Sequence, residues 1–119
     1  MLAAILIFEV EQSEQGRAAY LQAAAAMRKH VEGIDGFISV ERFESMSEPG
    51  RILALSFWRD EEALTAWRNL TAHRGAQTAA RAGLFRDYRI RVAQVIREYG
   101  PSDRDQAPVD SQAAHRISS

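Results

Sequence analysis

The sequence contains no cysteine. Disulfide bonds, thiolate nucleophiles, zinc-cysteine sites and iron–sulfur clusters are therefore excluded. An excess of charge of one sign is also missing, because 15 basic and 16 acidic side chains give a formal net charge of −1. No overall attraction to nucleic acid or to an anionic membrane is expected from this balance.

Long apolar runs are absent too. The first segment, MLAAILIFEVEQ, has only a short apolar stretch, lacks a basic region before it and ends in acidic residues. Neither a signal peptide nor a membrane-spanning helix has this form. The length of 119 residues suits one domain, and 46% hydrophobic with 26% charged residues is ordinary for a globular protein. A cytoplasmic protein is therefore expected.

The chain does contain an alternation of strand and helix patterns. Residues 2–8, LAAILIF, are continuously apolar, as in a strand buried on both faces. The next segment predicts a helix that Ser13 caps and that ends before Gly33 and an Asp35–Gly36 turn. Its apolar stripe has helical spacing and consists of Gly16, Tyr20, Ala23, Met27 and Val31.

The second half repeats strand and helix signals. Residues 37–44 and 51–58 predict two strands, and the turn sequence MSEPG between them predicts a hairpin. Asp60 is expected to cap a second helix, which Gly75 bends or breaks. Residues 87–99 predict the last strand. The inward stripe of the second helix consists of Leu64, Trp67, Leu70 and Thr71.

This β-α-β-β-α-β order predicts an α+β fold of the ferredoxin-like kind, with a four-stranded antiparallel sheet. Residues 1–100 would form the domain, and residues 101–119, poor in large apolar side chains, a mobile tail. Two helices can cover only one face of such a sheet, yet the strand patterns are apolar on both faces. The second face therefore predicts a homodimer formed sheet to sheet.

Three segments, GFISVERFES, SFWRDEEALTAWRNLTAHRGAQ and FRDYRIRVAQVIREYG, resemble the antibiotic biosynthesis monooxygenase family of dimeric α/β barrels. The resemblance spans about residues 2–100, and residues 56–77 are its most specific part. It implies an oxidoreductase, in a family that includes cofactor-free quinone-forming oxygenases and haem-degrading enzymes. Because the chain has no Gly-rich phosphate loop and no metal-ligand cluster motif, we expect a monooxygenase without cofactor or metal. Its substrates would be O2 and a small phenol or hydroquinone.

The candidate catalytic residue lies in the segment AWRNLTAHRGAQTAAR. His73 is the predicted base, because a neutral imidazole accepts protons near neutral pH. Gln77 and Arg81 follow it at i+4 and i+8, so a continuous helix would align the three in a polar stripe that orients the imidazole and binds a phenolate. A solvated helix face is the alternative interpretation of the same spacing.

Aromatic side chains are candidates for the walls of a substrate pocket. Trp67 would line a cavity between helix and sheet, with Tyr20 and Phe57 as further walls. Packing in the core is the alternative role for Trp67. Trp67 and His73 are turned about 120° from each other on a straight helix, so their joint action requires a bend.

Basic side chains alternate along the last predicted strand. Arg89, Arg91 and Arg97 would share one side of it, where they line a cavity or pair across the sheet with Glu41 or Glu44.

The residues also bear on three other functions. The haem-degrading branch uses an asparagine on strand one, whereas Asn69, on the second helix, is the only asparagine here; the spacing from Trp67 to His73 is also shorter than in that branch. RNA-recognition domains carry a basic-Gly-aromatic signature on the third strand, which RILALSFW lacks. A non-catalytic dimer that binds a small apolar ligand stays open as the main alternative.

Overall fold

The computed structural model describes residues 1–10, 14–70 and 85–110. A helix, α2, begins at residue 61 and is described as far as residue 70. The other elements are β1 (Leu2–Val10), α1 (Glu14–Glu32), β2 (Phe37–Glu44), β3 (Arg51–Trp58) and β4 (Phe85–Gln94). The four strands form one antiparallel sheet in the order β2-β3-β1-β4. The predicted β-α-β-β-α-β ferredoxin-like fold is thus confirmed.

No helix in these described ranges is long and apolar enough to cross a membrane.

The two faces of the sheet have different neighbours. On the helix face, residues of β1 and β3 pack under α1 and α2; they are Leu2, Ala4, Leu6 and Phe8 of β1, and Ile52, Ala54 and Trp58 of β3. The residues between them point to the other side, which we call the open face. On this face the two central strands carry only apolar side chains over three lateral pairs, namely Ala3, Ile5 and Ile7 of β1 with Phe57, Leu55 and Leu53 of β3. Both faces are therefore apolar, as the sequence predicts.

The core under the helices is divided into two groups. The Trp58 cluster consists of Ala4, Val31, Trp58, Ala63 and Leu64, with Leu2, Ile34, Phe37 and Trp67 packed against it. The Phe8 cluster consists of Phe8, Tyr20 and Ala54, with Leu6, Ala19, Ala23, Ala24 and Ile52 against it. Large aromatic side chains thus lie towards the two ends of the sheet, and small ones lie between them.

Helix α1 packs through its predicted stripe, of which Gly16, Tyr20 and Val31 are buried. The helix ends at Glu32, and the chain then turns at Gly36, whose φ of 93° lies in the left-handed region. The Gly36 carbonyl accepts a hydrogen bond of 2.7 Å from the Arg59 amide. This turn therefore holds the start of β2 against the segment between β3 and α2.

Replacing Gly36 by alanine should destabilise the fold by about 2–4 kcal/mol, because the variant would suffer both backbone strain at the left-handed φ and a steric clash of the new Cβ. A Cβ at this position would lie 2.7 Å from the Ala63 Cβ and 3.3 Å from the Arg59 guanidinium carbon. Gly33→Ala is the matched control, since its Cβ would meet only the His30 carbonyl at 3.6 Å. Urea unfolding measures both. Equal stability of the two variants would contradict the role assigned to Gly36.

Asp60 caps α2, as predicted. Its Oδ1 accepts a hydrogen bond of 3.0 Å from the Ala63 amide, and its Oδ2 one of 3.1 Å from Arg59 Nε. Arg59 also donates to both carboxylate oxygens of Asp35, at 3.3 and 3.2 Å. One arginine therefore joins the turn before β2 to the first turn of α2.

Acid should weaken this junction. The pKa of Asp60 is lowered by the hydrogen bond from the Ala63 amide and by Arg59, and that of Asp35 is lowered by Arg59. A carboxylate whose pKa is lower in the folded than in the unfolded protein stabilises the fold at pH values above its unfolded pKa of about 3.9. This stabilisation is lost as the pH falls through the folded pKa. When the pH is lowered below about 4, the melting temperature should therefore decrease. Asparagine can cap a helix without titrating, so calorimetry should show that the melting temperature falls less steeply with acid in Asp60→Asn than in the control variant Glu61→Gln. An equally steep fall in the two variants would contradict this role of Asp60.

Strand β4 ends earlier than the predicted 87–99. Its ladder with β1 runs to the pair Leu2–Gln94, and the Val95 amide donates to the Met1 carbonyl at 3.0 Å. The apolar alternation continues past Gln94, but a strand needs a partner as well as a pattern. Ile96 is consequently 83% exposed.

The chain folds back on itself after β4. The Gln106 Oε1 accepts a hydrogen bond of 2.7 Å from the Glu98 amide, and the Arg104 guanidinium lies 5.3 Å from the centre of the Tyr99 ring. Ala107 is buried. These contacts involve the first part of the predicted tail, and residues 111–119 lie outside the described ranges. The boundary at residue 100 stays a prediction.

Candidate functional site

A packed aromatic group lies at one end of the helix face. The Trp58 side chain is fully buried, with the Phe37 ring centre 5.3 Å away at 67° and the Trp67 ring centre 5.5 Å away at 42°. Its Nε1 donates a 2.9 Å hydrogen bond to Ser56 Oγ, which in turn donates at 3.3 Å to the Ala4 carbonyl. Because a buried indole N–H is costly without a partner, this chain of hydrogen bonds fixes the orientation of Trp58.

Trp67 lies on the inward side of α2, as its spacing predicts. It packs against the Trp58 cluster but is only partly buried, whereas Leu64 one turn earlier is 5% exposed. One part of the indole therefore packs on Trp58 and another part stays available for contact. That arrangement is compatible with a pocket wall as well as with core packing, and the role of Trp67 in binding stays a prediction.

Tyr20 lies at the opposite end of the helix face. It is 6% exposed, and its ring centre is 5.1 Å from that of Phe8, at 53°. Burial raises the pKa of the Tyr20 phenol, while the charge and hydrogen bonding of Arg42 act in the opposite direction. Tyr20 is therefore a neutral phenol near neutral pH, with a guanidinium beside it.

Short side chains separate these two aromatic groups. The two middle lateral pairs of the helix face are Leu6–Ala54 and Ala4–Ser56, and Ala23 and Ala24 of α1 are only half-buried. The apolar rows continue onto β4 through Tyr88, Ile90 and Val92, which are 62%, 48% and 53% exposed. We take this apolar region between the aromatic groups as the candidate site.

The structure does not bring the predicted site residues that it describes into one group. Tyr20 and Trp67 share the helix face, but they lie towards its opposite ends and belong to different clusters. Phe57 lies on the open face, because its neighbours Ser56 and Trp58 point to the helices. Phe57 therefore does not share a cavity with Trp67 within one chain. Three other predicted site residues lie outside the described ranges, namely His73, Gln77 and Arg81.

Sequence reasoning missed three residues that shape this region. Ser56 and Trp58 are two residues apart on β3 and so share a face of the sheet. This spacing could have predicted their hydrogen bond. Arg42 is different, because only the register of β2 against β3, where it pairs with Ala54, places it beside Tyr20. The sequence spacing of Tyr20 and Arg42 carries no such information.

Two shallow depressions open elsewhere on the surface. One, of about 310 Å³, lies at the β2–β3 hairpin and includes Phe43 and Leu53. The other, of about 270 Å³, lies where β1, β3 and β4 meet and includes Arg51 and Arg89. The second depression is lined by Arg89 and Arg91, two of the arginines whose alternation predicts either a cavity lining or pairing across the sheet. Neither depression is lined by Tyr20 or Trp67.

Comparison with known proteins gives two relatives and a family. Residues 2–79 match the sequence model of the family described as antibiotic biosynthesis monooxygenase. A protein from Pyricularia oryzae named jasmonate monooxygenase is 44% identical over 90 residues, which are 76% of this chain and 42% of that protein. The chain thus spans about two fifths of that relative's length. The uncharacterised protein YqjZ of Bacillus subtilis is 30% identical over 93 residues, 78% of this chain and 79% of that protein.

Solved structures show the same fold. An antibiotic biosynthesis monooxygenase-type protein from Deinococcus radiodurans superimposes with a TM-score of 0.70 at 16% identity, covering 84% of this chain and 97% of that one. SnoaB from Streptomyces nogalater, a cofactor-independent oxygenase, superimposes with a TM-score of 0.62 at 14% identity, covering 82% and 94%. Identities this low support the fold alone.

Proposed function

Because the chain belongs to the antibiotic biosynthesis monooxygenase family, we propose that it is a cofactor-independent monooxygenase of small, electron-rich aromatic substrates. The observation that carries this proposal is the apolar region of the helix face, bounded by Tyr20 with Phe8 at one end and by Trp58 with Trp67 at the other. An aromatic ring is bound well by apolar and aromatic walls of this kind. The name of SnoaB adds support for chemistry without a cofactor.

The chemistry that fits is the conversion of a phenol to a quinone. A base removes the phenolic proton, and the electron-rich anion passes an electron to O2. The oxygen then bonds to the ring carbon that carries hydrogen, and loss of water leaves a second carbonyl. One oxygen atom enters the product, the other leaves as water, and the substrate supplies all the electrons. No external reductant is needed for this balance.

His73 is the proposed base in this scheme, with Gln77 and Arg81 orienting it and binding the anion. Trp67 and Tyr20 are proposed as walls of the binding region. The neutral Tyr20 phenol beside Arg42 can also donate a hydrogen bond to an oxygen of the substrate. Phe57 has no part in this proposed pocket, because it lies on the opposite face of the sheet.

An apolar carboxylic acid is the second candidate substrate. The relative at 44% identity is named for jasmonate, which is an apolar cyclopentanone with a carboxylate. The same apolar region would bind its ring, and Arg81 or Arg42 would bind its carboxylate. This candidate has no phenolic proton, and without an external reductant the balanced reaction is oxidation of a CH2 group to a carbonyl, with one oxygen atom of O2 in the product and the other in water. The two substrate classes are therefore separable by experiment.

Oxygen consumption tests the proposal. The purified protein is mixed with a panel of phenols, hydroquinones and jasmonate in ¹⁸O2, with a chelator and without flavin, nicotinamide or haem. We expect oxygen uptake with a hydroquinone or phenol and one labelled atom in the product. Turnover of jasmonate alone would favour the second candidate, and turnover only after a cofactor is added would contradict the cofactor-free reaction. Inertness throughout would favour a non-catalytic ligand-binding protein.

A homodimer formed through the open faces is part of the proposal. The support for it is the apolar centre of that face, which no helix described in this chain covers. An obligate interface of this kind buries roughly 2,000 Å² or more in total. Light scattering at micromolar concentration should therefore give the mass of two chains, and the mass of one chain would contradict the dimer.

A further inference from the structure

Two charged side chains border the apolar floor of the candidate site. Laterally paired residues share one face of an antiparallel sheet, and three such rows form the floor on the helix face. Only Arg42 and Glu44 are charged in these rows, and both belong to the edge strand β2. Arg42 is one strand spacing, about 4.8 Å, from Ala54 in the middle of the floor. The three rows are Glu44, Ile52, Phe8 and Tyr88; Arg42, Ala54, Leu6 and Ile90; and Val40, Ser56, Ala4 and Val92.

The two charges do not neutralise each other. Both carboxylate oxygens of Glu44 accept hydrogen bonds from Arg17 of α1, at 3.3 and 3.2 Å. Arg42 forms no ion pair within residues 1–10, 14–70 and 85–110. Its neighbour Glu41 is paired laterally with Leu55 and so points to the open face. The helix face therefore has one positive charge beside an apolar floor, without a carboxylate against it in this part of the chain.

The Arg42 side chain reaches from the edge of the sheet to the buried Tyr20. Tyr20, Phe8 and Ala54 form one packed cluster, in which Tyr20 is 6% exposed. Burial raises the pKa of the Tyr20 phenol, and the Arg42 guanidinium opposes this shift through its charge and through hydrogen bonding. The guanidinium therefore lies close to the Tyr20 hydroxyl. It has five N–H donors, whereas a phenol oxygen accepts at most two of them, so donors remain for the acceptor atoms of a ligand.

A carboxylate is the anion that fits this pair of groups. Its two oxygens match the planar guanidinium, which binds them with two parallel hydrogen bonds, and the neutral Tyr20 hydroxyl can donate a third. One guanidinium carries a single positive charge, which balances a monoanion and leaves a phosphate dianion undercompensated. The apolar floor beside Arg42 accepts a ring and not a second charge.

We propose that Arg42 binds a carboxylate of the substrate, with Tyr20 as a further donor, while the attached ring lies over Ala54 and Leu6. This inference rests on the proposed function and specifies its substrate class: an aromatic or apolar ring that carries a carboxylate. Arg42 would then be the residue that selects the acid over its uncharged analogues. The ring, held at one end by its carboxylate, would extend along the floor towards Trp58 and Trp67.

Pairs of ligands that differ in charge test this proposal. The probes are gentisate, which is a hydroquinone with a carboxylate, and jasmonate, each compared with its methyl ester. Calorimetric titration without oxygen measures binding in the absence of turnover. The wild type should bind each acid about 10- to 100-fold more tightly than its ester, the range for hydrogen bonds to a charged group. Because Arg42 is exposed, this preference should decrease as the salt concentration is raised.

Arg42→Gln should reduce the preference for the acid to within about threefold and leave binding of the esters unchanged. Tyr20→Phe keeps the ring, removes one donor, and should reduce the preference by a smaller factor. Arg28→Gln is the matched control, because Arg28 is exposed on α1 and pairs with Glu32; it should keep the full preference. In Arg81→Gln the preference should also be kept, and its loss there but not in Arg42→Gln would overturn the proposal.

A purely structural role of Arg42 gives a different result. If Arg42 only stabilised the buried Tyr20 hydroxyl, Arg42→Gln would lower the urea midpoint, which Tyr20→Phe would abolish, but it would leave the preference for the acid intact. That outcome, equal binding of acid and ester by the wild type, or no binding of either acid would overturn the proposal. Oxygen uptake is measured separately. Uptake without a preference for acids would remove the carboxylate site and leave the proposed chemistry standing, whereas the preference without uptake would do the reverse.

Discussion

Trp58→Ala should lower the free energy of unfolding by about 3–5 kcal/mol, the range for removing a large buried aromatic side chain. Trp58 is fully buried and contacts both Phe37 and Trp67. Its removal leaves a cavity between β3 and α2 and takes away the donor that binds Ser56. Urea unfolding followed by circular dichroism should show a much lower midpoint with little change in slope.

Two further variants separate the contributions. Trp58→Phe keeps an aromatic ring but loses the hydrogen bond to Ser56, and should cost less than Trp58→Ala. Trp67→Ala removes an indole that is only partly buried, so it should also cost less than Trp58→Ala, and it should weaken ligand binding if Trp67 lines the site. A Trp67→Ala variant less stable than Trp58→Ala would contradict this ranking of the two indoles.

His73→Ala should slow turnover by about 10²–10⁴-fold if the imidazole is the base. The decrease of the turnover rate at low pH should also change in this variant, because the base must be a neutral imidazole, whose ordinary pKa is about 6.5. Single-turnover kinetics over pH 5 to about 9 measures both effects. Full activity of the variant would remove His73 as the base and leave the family assignment unaffected.

His30→Ala is the matched control for that experiment. His30 lies in the last turn of α1, on a different element from the proposed catalytic stripe. The same substitution there should leave the rate and its pH dependence unchanged. Equal losses in His30→Ala and His73→Ala would point to a general effect of removing a histidine and not to catalysis.

The regular parts of the fold could be predicted because local signals and long-range pairing agree there. The hairpin strands have the predicted bounds, since MSEPG closes a turn and the alternation of β3 puts Trp58 and Leu55 on opposite faces. The cap at Asp60 was equally readable, because it depends on residues three positions apart. The end of β4 could not be predicted from its local sequence, because it depends on where the pairing with β1 stops.

The candidate site was predicted less well for a related reason. Spacing alone predicts that Trp67 lies on the inward side of α2, but how much of it is buried depends on its contact with Trp58. Residue type alone groups Phe57 with Trp67, although strand alternation puts Phe57 on the other face. The approach of Arg42 to Tyr20 depends on strand register. Residue type suggests chemistry, but topology decides which side chains meet.

The contact between the two indoles also gives the protein an intrinsic fluorescent probe of its own conformation. The chain has only two tryptophans, and they lie 5.5 Å apart, one on the sheet and one on α2. All tryptophan emission therefore comes from this single contact, with Trp58 shielded from water. Any event that separates α2 from the sheet should change the colour and intensity of that emission together, whether it is ligand entry, local opening or unfolding. The helix–sheet gap can thus be followed by fluorescence without an added label.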